Sequence, residues 1–205
     1  MFNTCYRCGL YRVDKRIDSE GPHALCPECG FAHHFVQQPL YLVGGASGAG
    51  KSAICRRLVG VLADVVILDS DILWQPEFNT PDDNYRVFFE TWLRMAKNIG
   101  QSGRSVVIFG AGFAMPENVE PCVERRYLGD VHYLALVCND DVLAARLRQR
   151  PVERGNDDAY IADHQAFNRW LKAYADEPPL ARIDTTSVGE QTAAEMVAQW
   201  MVGIG

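Results

Sequence analysis

Residues 40–58 read LYLVGGASGAGKSAICRRL. The run LYLVGG (40–45) is apolar or small on both faces, as a strand covered on two sides must be. Gly45, Gly48 and Gly50 then punctuate a turn, and an amphipathic helical pattern runs from residue 51 to about 62. Gly45-Ala46-Ser47-Gly48-Ala49-Gly50-Lys51-Ser52 fits G-x-x-x-x-G-K-[ST] in the strand-to-helix context that this motif needs. Its glycines let backbone N–H groups turn inward around phosphate oxygens, and the helix that follows points its positive dipole end at the same anion. Lys51 is placed to bridge β- and γ-phosphates and Ser52 to bind Mg²⁺, so a nucleoside triphosphate is the expected ligand.

Outward from that loop the same alternation continues. DVVILD (64–69), SVVIFG (105–110), VHYLALV (131–137) and LARID (180–184) make four more candidate strands. Helical patterns lie between and after them at 83–99, 117–127, 140–149, 158–175 and 189–202. Strands alternating with helices imply βαβ units with right-handed crossovers and a doubly wound α/β domain. Neither internal repeats nor low-complexity segments interrupt it.

Before Pro39 the texture differs: short apolar pieces stand between Gly and Pro. Four of the seven cysteines fall here, as Cys5-x-x-Cys8 and Cys26-x-x-Cys29. That spacing suits a Cys₄ zinc site, two thiolates coming from each of two tight turns. Gly30 follows the last cysteine, where φ > 0 is needed. A closed four-thiolate site is structural; His23, His33 or His34 could replace a cysteine, and disulfides or a redox pair are the rival readings. Cys55, Cys122 and Cys138 sit among apolar neighbours and read as inert buried thiols. The expected division is therefore a ribbon over 1–38 and an α/β domain over 39–205.

Composition excludes several function classes. The formal charge is −6, and residues 1–38 carry four basic and four acidic side chains, so no bulk electrostatic attraction to nucleic acid is expected. Sixteen of the twenty basic residues are Arg, which favours planar, bidentate anion contacts. No stretch approaches the roughly 18 apolar residues of a membrane span. With an odd cysteine count and no apolar leader in MFNTCYRCGL, a reducing cytoplasm is the expected setting.

Further motifs place the domain. The second strand ends in Asp69-Ser70-Asp71 and the third in Phe109-Gly110-Ala111-Gly112. The fourth precedes Arg146, Arg148, Arg150, Pro151 and Arg154, and the fifth gives Ile183-Asp184-Thr185-Thr186-Ser187. This order resembles the small P-loop kinases of the shikimate, gluconate and nucleoside/nucleotide kinase group. The resemblance covers 39–205 and is most specific at the P-loop and the arginines. It implies a P-loop NTPase fold, a three-layer α/β/α sandwich on a five-stranded parallel sheet, with a lid near 146–158.

It also implies roles. Of Asp69 and Asp71, one assists hydrated Mg²⁺ and the other accepts a hydrogen bond from the acceptor hydroxyl; a helix-capping role is the alternative for either. Arg146 would pack on adenine, and Arg150 or Arg154 would reach the transferring phosphoryl group. Thr186 and Ser187 align with the segment bordering adenine. Gly110 and Gly112 would admit the acceptor closely, or form a simple turn; no Walker B Asp stands there.

The acceptor-binding position falls on residues 72–97. Tyr85, Phe88 and Trp92 recur at helical spacing, more a core face than a ligand box, whereas Trp74 and Phe78 are stacking candidates. Aromatic walls with few charges suit a nucleoside or another ringed alcohol. In the run His164-Gln-Ala-Phe167-Asn168-Arg169-Trp170 the apolar members read as packing, and Arg169 is a candidate phosphate contact. The expected activity is ATP-dependent phosphorylation of a small-molecule hydroxyl. A polynucleotide-end kinase that holds the strand with its ribbon, and a regulatory NTPase that docks a protein, are the alternatives.

Overall fold

A computed structural model describes residues 3–18, 20–175 and 177–204. The chain divides into two compact units that cut across chain order: Met1–Leu40, Trp74–Val106 and Glu117–Val131 make the first, and Tyr41–Leu73, Val107–Pro116 and His132–Gly205 the second.

The second unit is built on a parallel sheet in a three-layer α/β/α arrangement. Its strands are β4 (Leu40–Gly45), β5 (Val65–Asp69), β6 (Ser105–Phe109), β7 (Val131–Val137) and β8 (Leu180–Asp184), in the spatial order β5-β6-β4-β7-β8. All five expected strands form within a residue of their expected limits. β4 is buried throughout its length, while the edge strand β5 is only half-buried along its length. Because β4 is the middle strand, the loop after it opens at the carboxyl edge near the centre of the sheet, where α/β proteins bind ligands.

Helices α1 (Lys51–Leu58) and α6 (Glu190–Val202) share one core with the sheet: Ile54 and Leu58 of α1 and Ala193 and Val197 of α6 pack with Val43, Phe109 and Leu136. Helices α4 (Asp140–Arg148) and α5 (Asp158–Ala173) build a second core from Leu143, Leu147 and Ile161 against Ala46 and Cys138. Asn139 and Asp157 start these helices by accepting from the backbone N–H of Asp141 and Tyr160.

The first unit contains a three-stranded antiparallel sheet, β1 (Arg16–Asp18), β2 (His23–Leu25) and β3 (Ala32–His34). It also contains α2 (Arg86–Gly100). The helix expected over 117–127 is broken: α3 spans only Pro116–Val119, and a 3-10 turn covers Val123–Tyr127. Pro121 cannot donate to a continuing helix and pushes its predecessor out of the α region.

The cysteine-bearing residues share this unit's core. Ala24 and Phe35 pack with Tyr127, whose hydroxyl donates to Val13 O and accepts from Lys15 N. Lys15 is fully buried; its Nζ donates to Asn3 O at 2.6 Å and Arg12 O at 2.7 Å. Glu90 of α2 accepts from the N–H groups of Val123 and Glu124, capping the 3-10 turn. Trp92 and Phe88 are buried as a core face. Tyr85 instead stands outside the helix with Asn84, both at positive φ (54° and 47°). Trp74 and Phe78 each meet Phe88 edge-on at 5.4 Å between ring centroids, and Trp74 keeps 47% of its surface exposed.

Candidate active site

The loop after β4 adopts the backbone that its glycines anticipate. Gly45, Gly48 and Gly50 have φ of 147°, 88° and 106°, values that a residue with a Cβ rarely adopts. At Gly45 a Cβ would also come within 2.6 Å of Leu136 O. The loop encloses Lys51, whose Nζ donates to Gly45 O at 2.7 Å and Ala46 O at 3.1 Å. Burial pulls the Lys51 ammonium down to about 8; Arg150 adds to that effect, while Asp71 and Asp69 oppose it.

A cavity of about 520 Å³ opens over the loop, lined by Ser47–Ile54 and by Asp71, Arg146, Arg150, Arg154 and Thr185. It thus gathers Gly48, Ala49, Gly50, Lys51, Ser52, Asp71 and three of the arginines singled out from sequence. Asp71 belongs to the 3-10 turn Ser70–Leu73 that follows β5. Asp69 Oδ1 accepts from Asp71 N at 3.1 Å, so Asp69 holds that turn and its side chain is not part of the cavity lining. The tight turn after β6 follows from close packing, since a Cβ on Gly110 would fall 2.2 Å from Ser70 Oγ.

The arginines part company. Arg146 is a fixed strut: Nη2 donates to Thr185 O at 2.7 Å, and Nη1 to Thr185 Oγ1 at 3.2 Å and Gly48 O at 3.3 Å. Arg148 reaches outward to Asp158 at 3.4 Å, both side chains being exposed. Arg150 and Arg154 face the cavity, and burial, then Arg154, lowers Arg150 from its usual value without costing an arginine its charge. Arg169, a candidate phosphate contact, pairs with Asp140 at 2.7 Å instead.

Thr186 is likewise occupied elsewhere: its Oγ1 accepts from Asn139 N at 2.7 Å. The cavity wall comes from its neighbour Thr185, together with Val188, Gly189 and Glu190, and neither Thr186 nor Ser187 lines it. Strand parity carried the signal for Thr185, because buried Ile183 and Thr185 alternate with exposed Asp184. Two further residues, Tyr160 and His164, had no site role assigned from the sequence, His164 being noted only at the head of the run 164–170. Tyr160 OH lies 2.9 Å from Ser47 Oγ, and Ser47 N donates to His164 Nδ1 at 3.3 Å. Their i, i+4 spacing on one helix was the legible hint.

The second candidate centre lies in the first unit. The sulfurs of Cys5, Cys8, Cys26 and Cys29 all lie within 4.8 Å of one another, with Cys5–Cys29 and Cys8–Cys26 at 3.7 Å. Tetrahedral thiolates at about 2.3 Å from an ion stand about 3.8 Å apart, so this set fits such an ion, whereas a disulfide would need about 2.0 Å. The two turns repeat each other: Gly9 N donates to Cys5 O, and Gly30 N to Cys26 O. Burial opposes ionisation of Cys5, but the amides of Cys8 and Arg7 and the His33 ring pull it down to about 5. The Leu10 amide favours the Cys8 thiolate, yet burial and the three neighbouring thiols push it up to about 12. Four sulfurs this close cannot all ionise without a cation.

Among known families, that described as AAA domain matches residues 40–178. No curated protein matches the chain. Solved structures with similar folds include a sugar kinase from Janibacter sp. HTCC2649 (16% identity, 82% of this chain, 95% of that one, TM-score 0.56). The tunicamycin resistance protein of Deinococcus radiodurans is similar at 17% identity, 80% and 96% coverage and a TM-score of 0.59. Shikimate kinase from Acinetobacter baumannii, in complex with shikimate, is similar at 19% identity, 82% and 94% coverage and a TM-score of 0.51.

Proposed function

The chain belongs to the AAA domain family, its match spanning 40–178, and from that premise we propose that it is an ATP-dependent phosphotransferase acting on a hydroxyl of a small molecule. The observation that carries this reading is the convergence of Lys51, Asp71, Arg150 and Arg154 on one cavity over the phosphate loop. An NTPase that only hydrolyses needs a poised water. A kinase needs a carboxylate near the acceptor hydroxyl and cations on the transferring group, and the presence of Asp71, Arg150 and Arg154 in the lining of one cavity supports that reading.

In this reading the acceptor oxygen bonds to the γ-phosphorus while the bridge to the β-phosphate breaks, giving a phosphate ester and ADP. Asp71 orients the hydroxyl and takes its proton late, and Lys51 and the loop amides stabilise the leaving diphosphate. Arg150 or Arg154 meets the charge on the equatorial oxygens, and Arg146 frames the adenine side of the cavity. Ser52 would hold Mg²⁺, which supplies charge neutralisation between the phosphates. The Cys5–Cys29 set would hold structural Zn²⁺ within a ribbon of residues 1–38, in a reducing cytoplasm. The aromatic-rich, charge-poor sequence of residues 72–97 supports a ringed acceptor such as a nucleoside or sugar derivative.

The test is a panel of hydroxyl acceptors with ATP and Mg²⁺, read by phosphate transfer rather than by ATP loss. A labelled ester from one acceptor class is the expected result. Hydrolysis indifferent to every small acceptor, but stimulated by an RNA end or a protein, would replace the proposal.

A further inference from the structure

Helix α5 places Tyr160 and His164 one turn apart, and both rings press on a single residue of the phosphate loop. Ser47 Oγ lies 2.9 Å from Tyr160 OH, and Ser47 N donates to His164 Nδ1 at 3.3 Å. The rings meet edge to face at 4.3 Å, so each holds the other's orientation. The segment leading into α5 is stitched to the same place. Asn156 Nδ2 donates to Arg150 O at 3.0 Å, and Asp157 caps the helix at Tyr160 N. Gly155, at φ 75°, passes so close beneath the Tyr160 ring that a Cβ would stand 2.8 Å away. Arg150 and Arg154, which face the cavity, are carried on this stretch.

We propose that Tyr160 and His164 are positioning residues that hold the phosphate loop and the arginine-bearing segment in register, His164 doing so only as the neutral imidazole that accepts from Ser47 N–H. The proposal rests on the reading that this cavity takes ATP. Its chemistry follows from the donor: an amide N–H needs an unprotonated Nδ1, which leaves the ring proton on Nε2. Burial disfavours the imidazolium first, and Lys51 of α1 and Arg150 disfavour it further; only Asp163, on α5 itself, favours it. The charged pairs between α4 and α5, Arg148–Asp158 and Arg169–Asp140, lie at the two ends of α5. His164 is therefore held below the usual histidine range and is neutral at pH 7. Acid converts it from an acceptor for Ser47 into a third cation beside Lys51 and Arg150.

The experiment reads two quantities on the full-length chain: direct binding of a fluorescent ATP analogue with Mg²⁺ from pH 5 to 8, and tryptic cleavage after Arg154 without nucleotide, the Arg150–Pro151 bond being resistant to trypsin. Parent affinity is expected to be flat above pH 7 and to fall on acidification more steeply than protonation of the nucleotide's own phosphate requires. His164→Phe should bind ~10-fold more weakly at pH 7.5, keep only the acid limb of the nucleotide, and be cut ~10-fold faster. His164→Asn, which keeps an acceptor near the Nδ1 position, should restore most of the affinity and likewise show only the nucleotide's limb. Equal cleavage and equal pH slopes in parent and His164→Phe would overturn the proposal. So would parent affinity that rises on acidification, since the imidazolium would then be a phosphate ligand. A parent that binds no ATP while His164→Phe is still cut faster would overturn the ATP reading and leave the hold standing.

Discussion

Lys97 Nζ lies 2.6 Å from Glu124 Oε2, and both side chains are fully buried. The same Nζ donates to Asn3 Oδ1 at 2.8 Å and sits 4.6 Å over the Tyr127 ring. Glu124 also takes Arg94 Nε at 2.7 Å. A buried carboxylate between two cations thus joins α2, the Val123–Tyr127 turn and the start of the chain inside one unit. Glu124→Gln leaves Lys97 without its counter-charge in a dry site, so we expect a loss of about 3–5 kcal/mol. Lys97→Met with Glu124→Leu should recover most of it, because the buried ammonium is removed with its partner and the remaining cation, Arg94, is 42% exposed and stays solvated. Denaturant midpoints of the three proteins check this; a neutral Glu124→Gln would show that the pair is solvated.

Metal removal should be felt well beyond the cysteines. The turns bearing Cys5 and Cys26 are continuous with Asn3 and Lys15, whose bonds reach Lys97 of α2 and Tyr127. One Zn²⁺ per chain is expected, with chelation or Cys26→Ser speeding amide exchange along residues 86–100 as well as in the ribbon. Elemental analysis and hydrogen exchange check both halves. Protein without zinc and with bridged thiols would end the metal reading, and protection of α2 unchanged by chelation would end the coupling.

The sheet and phosphate loop were legible because each is written locally. Five apolar runs and one fixed-spacing motif need no partner to be recognised. The actual company of the ribbon was not legible, because Lys15, Lys97 and Glu124 look like ordinary surface charges until distant segments bury them. The same limit applied to Arg146 and Thr185, whose bonds join residues 39 positions apart. Arg150 was separable from Arg148 by its spacing, four residues after Arg146 on one helical face before Pro151; the exposed partner Asp158 adds where Arg148 turns.

Lys51 should announce nucleotide binding through a proton. Burial holds its ammonium at about 8 in the free protein, so at pH 9 it is mostly neutral, whereas at pH 7 it is charged. Bound phosphates favour the charged form and raise that value. ATP binding at pH 9 should therefore take up a fraction of a proton that is absent at pH 7. Calorimetry in buffers of different ionisation enthalpy measures it. Lys51→Met should abolish the uptake together with transfer, while the protein stays folded.

The two arginines nearest the turn at Pro151 should differ sharply on substitution. Arg148 pairs at the surface with a 95% exposed Asp158 side chain, an interaction worth under about 1 kcal/mol. Arg148→Ala should leave transfer within about twofold of the parent. Arg150→Ala should lower the transfer rate on the order of 10³-fold, with far less effect on ATP affinity. Single-turnover rates separate the two quantities, and equal losses in both variants would remove Arg150 from the reaction.

Asp71 and Asp69 leave β5 two residues apart, yet their positions demand different outcomes. Asp71 lines the cavity, whereas Asp69 Oδ1 is spent on Asp71 N. Asp71→Asn keeps the shape and one acceptor oxygen but removes the charge that receives the hydroxyl proton. Transfer should fall ~10²-fold or more, while ATP affinity stays nearly constant. Asp69→Asn retains an oxygen able to accept from the Asp71 amide, so the turn survives; if Asp69 serves the water shell of Mg²⁺, only the metal requirement should rise. Asp69→Ala loses both and should move toward the Asp71→Asn phenotype, because the carboxylate it aims is no longer held. Rapid-quench transfer and magnesium titrations on the three proteins distinguish these patterns. Parent-rate transfer by Asp71→Asn would place the base elsewhere, and an unchanged Asp69→Ala would show that the turn needs no such support.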